Sequence, residues 1–462
     1  MSGSGETEFE KSRDGLKERP FRFPWRFFNR ANRYSSEMGW VVFGQAGLAA
    51  GYVLAIKLIS AVLDVEEFGR FSLGLTLINL VQLTLFTPLA QGLMRYWSVS
   101  VQQGNMAAFQ GVSGKWMLRL VFGSILGAIA LMAGAMALHQ DGWVIVIGLS
   151  ILSGALGGCV NGDVFVMNAD RSRKAAAWFN VFFACLRPGL GFALAIGFWK
   201  RAEAVLLGYF LVSLVMAPVS RGFLRGWMAK SAEKPAEPEP AHQNLSNQIF
   251  AFSWPFLPLG IFSWIQQSSD RWALQAMFGA EAVGRFAVVS QMAFYPMVFL
   301  SGILQLFFMP IAYGKAQAHP GARGAAFPVL IWLVGAFLLL ALVVVGFLGL
   351  FQEELVVLVS RSAYTGYHVY LVGMGVAWAL YYLGVVLSGF GLVAERSRVY
   401  LPAGFASAIV AAVGCFLGAF LLGPRGVVAA LWISGGMYAA WNGWTAYRIV
   451  SGIRKAHPSG SC

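Results

Sequence analysis

The chain has 462 residues, of which 58% are hydrophobic and 12% are charged, and its formal net charge is +13. A soluble protein built around one ordinary core does not reach this hydrophobic fraction, so the composition predicts an all-α polytopic membrane protein. The cations are spread over loops between apolar runs, a distribution that indicates membrane topology and anionic lipid headgroups rather than binding to nucleic acid.

Residues 1–38 are polar and then basic, with aromatic residues between the arginines. This pattern is typical of a segment that lies on the membrane surface. The first apolar run begins after residue 38 and is long enough to span, so we expect no signal peptide and a cytosolic N-terminus. The arginines of this segment are Arg19, Arg22, Arg26, Arg30 and Arg33.

Twelve apolar runs of about 20 residues follow, each of the length that a helix needs to cross a bilayer. Six fall in an N-lobe, 39–224, and six in a C-lobe, 248–450, so the lobes have the same orientation and form a parallel repeat. The predicted spans are 39–62, 70–94, 115–138, 143–167, 176–199, 203–224, 248–272, 284–309, 325–350, 366–393, 400–422 and 426–447.

The segment 225–247 joins the lobes. Its proline and charged residues cannot bury apolar area, so it is predicted to be a flexible linker. Most loop cations fall on the side of the membrane that holds both termini. The positive-inside rule therefore places the linker, the N-terminus and the tail 451–462 in the cytosol.

Two duplicated motifs support the division into halves. Glu66-Glu67-Phe68-Gly69-Arg70-Phe71 recurs 215 residues later as Glu281-Ala282-Val283-Gly284-Arg285-Phe286. Ala169-Asp170-Arg171-Ser172-Arg173 recurs 225 residues later as Ala394-Glu395-Arg396-Ser397-Arg398. Each copy lies in a short break between two apolar runs, and internal repetition of this kind is typical of transporter folds.

Ionisable side chains inside the predicted spans are the strongest indication of a functional site, because each costs at least about 2.5 kcal/mol to place in hydrocarbon. Arg187 lies near the middle of the fifth span, where Pro188 loosens the helix, and we expect it to face a cavity. Arg119 and Asp163 lie at equal depth, which predicts an ion pair. Each of these residues could instead serve packing alone.

A second group of charges lies near the span ends. Lys57 and Arg271 fall at similar heights near the outer ends of the first and seventh spans, so they are predicted to form a cationic rim, with headgroup contact as the alternative. Arg95 is predicted to be a topology anchor that could also meet a phosphate. Asp163 with Asn161, and Asp270, are candidates for binding a coupling cation or proton, or for ion pairing.

The seventh span contains Pro255 and Pro258, followed by Gly260. These residues remove ladder hydrogen bonds and permit a bend, which predicts a hinge between the lobes, with a static kink as the alternative. No Walker A loop, nucleophile elbow or His-Glu-x-x-His motif is present in the sequence. We therefore expect neither an enzyme nor a metal or other cofactor, although a coupling ion, H⁺ or Na⁺, could be required.

The acidic turn that ends in Gly-Arg-Phe, its second copy after Asp270-Arg271, and the twelve predicted spans resemble the polysaccharide transporter (Wzx-like oligosaccharide flippase) branch of the multidrug/oligosaccharidyl-lipid/polysaccharide flippase superfamily. The resemblance covers about residues 39–450. It implies a MATE-like arrangement of two six-helix lobes around a central cavity. Cavity cations map by depth onto Arg187, Arg119 and Lys57.

The resemblance further implies that an undecaprenyl-diphosphate-linked oligosaccharide is flipped to the periplasmic leaflet of a bacterial inner membrane by alternating access. An ion gradient or the membrane potential would drive this step. Implied partners are membrane lipids and the polysaccharide polymerase and export proteins. Two alternatives stay open: a cation-coupled multidrug or metabolite antiporter of the same superfamily, and a non-transporting membrane subunit of a glycan-assembly complex.

Overall fold

The computed structural model describes residues 31–231, 242–316 and 322–456, which form helices joined by short turns. Most of the predicted surface segment, the proline-rich centre of the linker and the end of the tail lie outside the described residues. The N-lobe contains six helices. They are α1 Ala31–Val62, α2 Val65–Gln102, α3 Met106–Ala137, α4 Asp141–Ala169, α5 Arg173–Gly197 and α6 Ala202–Ser231.

The C-lobe also contains six long helices, and a short helix, Gln352–Val359, lies between the third and fourth of them. Its first two helices run on from each other and are separated by a break at Gly279, whose φ of 78° is outside the helical range. The six are α7 242–278, α8 280–316, α9 Phe327–Leu350, α10 Ala363–Val393, α11 Leu401–Leu422 and α12 Pro424–Ala456.

Ten helical segments in the described part of the chain are long and apolar enough to cross a membrane. One of these segments, Leu245–Ala316, contains nearly all of α7 and all of α8, and the less apolar α12 is not among the ten. The predicted fold class, an all-α multi-pass membrane protein, is confirmed. We call the side that holds residues 31 and 456 the terminal side, and the other the opposite side.

The helices flanking the linker are longer than the sequence predicts. α6 continues to Ser231 and α7 begins at His242, whereas the apolar runs end at 224 and begin at 248. Hydropathy detects only the part of a helix that is apolar, and polar residues extend both helices beyond it.

The two copies of the first duplicated motif, which contain Gly69 and Gly284, meet at the contact between the lobes. There α2 packs against the start of α8. A Cβ atom added to Gly69 would lie 1.9 Å from the carbonyl oxygen of Ala280, and one added to Gly284 would lie 1.9 Å from that of Val65. The two helices therefore touch backbone to backbone, which only glycine permits at both positions.

The same motifs carry matching ion pairs on either side of this contact. Arg70 lies 3.4 Å from Glu66, and Arg285 lies 2.6 Å from Glu281, in each case one helical turn apart. The carboxylates of Glu66 and Glu281 are well exposed and the arginines are partly exposed, so each pair contributes little to stability.

The opposite side is also joined by the segment between α9 and α10. The Lys57 ammonium donates to the carbonyl of Leu358, 3.0 Å away, in the last turn of the short helix. Arg361 donates to the carbonyl of Ala61, and the ring of Tyr364 packs edge-on against Phe68 at 5.5 Å. The C-lobe thus covers the α1–α2 turn of the N-lobe.

On the terminal side, the first part of α7 reaches back to the N-lobe. The indole of Trp116 stacks on Phe250, with ring centroids 5.3 Å apart, and donates to the hydroxyl of Ser246 at 3.1 Å. α7 then changes to a 3₁₀ turn, Trp254–Phe256, at the predicted hinge.

The predicted hinge residue Gly260 has a packing role. A Cβ atom at this position would lie 2.0 Å from the carbonyl oxygen of Leu83 in the π-helical turn Gln82–Phe86 of α2. Gly260 therefore allows α7 and the π turn to touch, in addition to any freedom it gives the bend.

We predict that Gly69→Ala or Gly284→Ala destabilises the protein by about 1–3 kcal/mol, because the added methyl group forces the lobes apart. The measurement is the midpoint of thermal unfolding in detergent. Gly127→Ala is the matched control, since a Cβ atom there has no neighbour within 4 Å. Equal midpoints for Gly69→Ala and Gly127→Ala would contradict the close contact.

Candidate functional site

Arg187 lies inside the N-lobe, where α5 faces α4 and α6. Its guanidinium donates to the hydroxyl of Ser213 at 2.9 Å and to the carbonyl of Ser153 at 3.4 Å. It also stacks on the ring of Phe183 at 3.7 Å. Within the described part of the chain, no carboxylate lies within 4.0 Å of it.

Gly157 of α4 provides the space for this side chain. A Cβ atom at Gly157 would lie 2.2 Å from Nη2 of Arg187. The helix packing therefore holds the cation in one place while leaving its positive charge without a counter-ion from the residues that the structure describes.

Arg271 is the corresponding cation of the C-lobe. The residue is 7% exposed and lies on α7, and its Nε has no hydrogen-bond partner among the described residues. Its neighbour Asp270 is fully buried, but the carboxylate accepts from the hydroxyl of Ser290 at 3.1 Å and from the backbone N–H of Arg271 at 2.8 Å. Asp270 is thus hydrogen-bonded without forming an ion pair with the guanidinium.

Two tyrosines stack on each other where the lobes meet. Tyr52 of α1 and Tyr295 of α8 stack with ring centroids 4.1 Å apart. Arg187 lies on α5, which packs against the helix of Tyr52, and Arg271 lies on α7, which leads into the helix of Tyr295. We call Arg187, Tyr52, Tyr295 and Arg271 the interlobe site.

The predicted pair of Arg119 and Asp163 is wrong. Asp163 is fully buried and pairs with Arg221 of α6 at 3.2 Å, and it also accepts from the hydroxyl of Ser220 at 2.9 Å. Arg119 lies on an exposed face of α3, with its guanidinium 5.1 Å above the ring of Trp116. The two residues lie at similar depth along α3 and α4, but their side chains do not face each other.

Asn161 lies one half-turn from Asp163 along α4 and has a different partner. Its amide donates to the side-chain oxygen of Gln82, 3.2 Å away in the π turn of α2. Among the described residues, no group of three His, Cys, Asp or Glu side chains could hold a metal ion.

The remaining predicted cations lie away from the interlobe site. Lys57 is exposed and bound to Leu358, so it does not form a rim with Arg271. Arg271 also lies deeper than predicted, because α7 continues to 278 rather than ending at 272. Arg95 lies on the terminal side with its guanidinium 4.4 Å from the ring of Phe252 in α7.

Three important residues are not among the sequence-based candidates. Arg221 lies near the end of the sixth predicted span, where a loop cation is expected, although its place inside α6 brings it to Asp163. Tyr52 and Tyr295 give no distinct signal, because aromatic residues are frequent throughout the spans. Their pairing depends on how the lobes pack, which a single sequence does not contain.

Comparison with solved structures shows the fold of MATE transporters. A ligand complex of the MATE multidrug transporter DinF-BH matches with a TM-score of 0.64 and 14% identity, over 90% of this chain and 96% of that one. A mutant of the Vibrio cholerae MATE transporter VcmN gives 0.62 and 14%, over 92% and 96%. No protein-family model and no curated protein matches the sequence.

A third similar structure is a MOP superfamily transporter from Pyrococcus furiosus. It matches with a TM-score of 0.57 and 14% identity, over 90% of this chain and 97% of that one. That transporter has a binding pocket of reverse polarity, which suggests a different function for it. At these identities the likeness establishes the shared fold.

We predict that Arg221→Gln destabilises the protein by roughly 3–5 kcal/mol, because it leaves the buried Asp163 carboxylate unpaired. Thermal or denaturant unfolding in detergent measures the change. Arg119→Gln, which removes the same charge from an exposed position, should cost less than about 0.5 kcal/mol. The double variant Asp163→Asn/Arg221→Gln should recover much of the lost stability. A larger loss of stability in Arg119→Gln than in Arg221→Gln would instead support the predicted pair of Arg119 and Asp163.

Proposed function

We propose that this protein is a non-enzymatic transporter that flips an undecaprenyl-diphosphate-linked oligosaccharide across a bacterial inner membrane. The observation that carries the proposal is the interlobe site, to which each lobe contributes a buried arginine with no carboxylate within 4.0 Å among the described residues. Cations at this depth are costly unless a ligand or a paired group offsets them.

The geometry suits a diphosphate. A guanidinium group presents several donors in a planar fork and matches phosphate oxygens in pairs. Arg187 is fixed by Ser213 and Phe183, so little side-chain entropy is lost when it binds. The Nε of Arg271 still has an unused donor that an anionic oxygen could accept from.

The aromatic residues at the site suit a glycan. Tyr52 is 37% exposed and stacks on Tyr295. The ring centroid of Phe299 lies 6.0 Å from that of Tyr52. Tyrosine offers an apolar face together with a hydroxyl group, and both can contact a sugar ring. The site therefore combines cations for a diphosphate with amphipathic rings for the attached carbohydrate.

The main alternative is a cation-coupled multidrug or metabolite antiporter, since several of the similar structures are multidrug transporters. A site for cationic drugs would be served by a free carboxylate between the lobes. Asp163 is instead neutralised by Arg221, and Asp270 is bound by Ser290 and backbone.

Two further considerations support the flippase proposal. A membrane subunit that only scaffolds glycan assembly has no use for buried arginines that lack an ion-pair partner in each lobe. In addition, the Pyrococcus furiosus transporter of similar fold has a pocket of reverse polarity and a suggested difference in function, so this fold need not imply multidrug transport.

Alternating access would follow from the contacts that join the lobes. The glycine contact and the Lys57 and Arg361 bonds close the opposite side, and opening it requires them to separate. The 3₁₀ turn at Pro255, close to Pro258, gives α7 a place to bend. An H⁺ or Na⁺ gradient, or the membrane potential, would drive the cycle, and polymerase and export proteins would take the flipped lipid onward.

We expect Arg187→Gln and Arg271→Gln to reduce flipping of an undecaprenyl-diphosphate-linked oligosaccharide by about 10- to 100-fold, since each removes a charge-assisted phosphate contact. The measurement is the fraction of a fluorescently labelled lipid-linked oligosaccharide protected from an added glycosidase in proteoliposomes. Arg187→Lys should retain part of the activity because it keeps the charge.

Arg119→Gln is the matched control, with the same charge change outside the interlobe site. Unfolding midpoints of all variants show whether a loss reflects folding. Transport of a cationic dye without flipping of the oligosaccharide would favour the antiporter, whereas normal flipping by both Arg187→Gln and Arg271→Gln would overturn the assigned site.

A further inference from the structure

A groove on the terminal side of the N-lobe is separate from the interlobe site. It has a volume of about 680 Å³ and lies between α1, α5 and α6. One end is basic and is formed by Arg171, Arg173 and Lys174. The rest is apolar, and its aromatic lining includes Trp40, Trp178, Phe182 and Trp227.

The basic end concentrates three cations within four residues. Arg173 donates to the side chain of Asn168 at 2.9 Å, and the Lys174 ammonium lies 5.4 Å above the ring of Trp40. Arg171 is exposed, and its φ of 62° is in the left-handed region that favours glycine. The cluster also lies at the N-terminal end of α5, where the helix dipole repels cations.

The carboxylate of Asp170, which is adjacent to this cluster in sequence, forms no ion pair with it. Asp170 accepts from the hydroxyl of Ser172 at 2.8 Å, and no described cation lies within 4.0 Å of it. The basic end therefore presents a positive potential that an anion would relieve.

The exposed aromatic pair on α5, which we call the aromatic wall, has no counterpart in the second copy of the repeat. Trp178 and Phe182 are 38% and 48% exposed and lie one turn apart on α5. With the offset of 225 residues, their counterparts in α11 are Ala403 and Ser407, which are 0% and 2% exposed. The C-lobe thus packs small residues where the N-lobe leaves large rings facing outward, so the repeat alone does not explain the groove.

We propose that this groove binds a phospholipid with an anionic headgroup. The phosphate would lie against Arg171, Arg173 and Lys174, and an acyl chain would run along Trp178 and Phe182. Tryptophan and basic side chains at one height are typical of the headgroup region. The arginine-rich residues 19–33 carry the same sign of charge as the groove and are a poor occupant on electrostatic grounds. The proposal does not depend on the transported substrate.

The test is native mass spectrometry of the full chain, released from detergent after incubation with phosphatidylglycerol or phosphatidylcholine. We expect one strongly retained phosphatidylglycerol molecule in the wild type. Arg171→Gln/Arg173→Gln should weaken its retention roughly 10- to 30-fold, in line with the contribution of each basic residue near anionic lipid.

The second copy of the motif supplies the matched control. Arg396→Gln/Arg398→Gln removes the same two charges from the corresponding turn of the C-lobe, where the aromatic wall is missing, and should leave retention unchanged. Equal losses in both double variants, or equal retention of phosphatidylcholine, would overturn the proposal. So would lipid retention that increases when residues 2–30 are deleted, because the N-terminal segment would then be the occupant.

Discussion

The backbone contact between Gly69 and Gly284 sets how closely the two lobes approach on the opposite side. A Cβ atom at either position would lie 1.9 Å from a carbonyl oxygen of the partner helix. In a bilayer the hydrophobic effect does little to hold helices together, so close packing of small residues carries much of the association. The duplicated motif places one such glycine in each lobe, and the pseudosymmetric interface follows from it.

This contact also explains the layout of the rest of the interface. With α2 and α8 held together, Tyr52 can stack on Tyr295 deeper between the lobes, and Gly260 can meet the π turn of α2. The segment between α9 and α10 then covers the α1–α2 turn through Lys57 and Arg361. The hydrogen bonds of Lys57 and Arg361 both go to backbone carbonyls, so they can separate without leaving a buried charge unpaired.

The sequence predicted the helices well and the site in part. The lengths of the apolar runs predicted the long helices. A chain segment that crosses the bilayer must satisfy its own backbone hydrogen bonds, so each such run has to be a helix. Depth along a helix singled out Arg187 as a candidate, but depth gives height and not the direction in which a side chain points. Asp163 therefore pairs with Arg221 of α6 rather than Arg119, which is exposed on α3. Arg271 lies deeper than predicted because α7 continues to residue 278, six residues beyond the predicted end of the seventh span.

The charges inside the helical bundle separate into two kinds, and the difference gives the interlobe site its character. Both buried carboxylates are satisfied locally, Asp163 by Arg221 and Asp270 by Ser290 and the chain itself. Neither Arg187 nor Arg271 has a carboxylate within 4.0 Å among the described residues, and Arg187 is held instead by hydrogen bonds to Ser213 and Ser153. The two lobes therefore each hold an arginine without an ion-pair partner, and an anion that reached both would lower the free energy of whichever conformation brings both arginines to it.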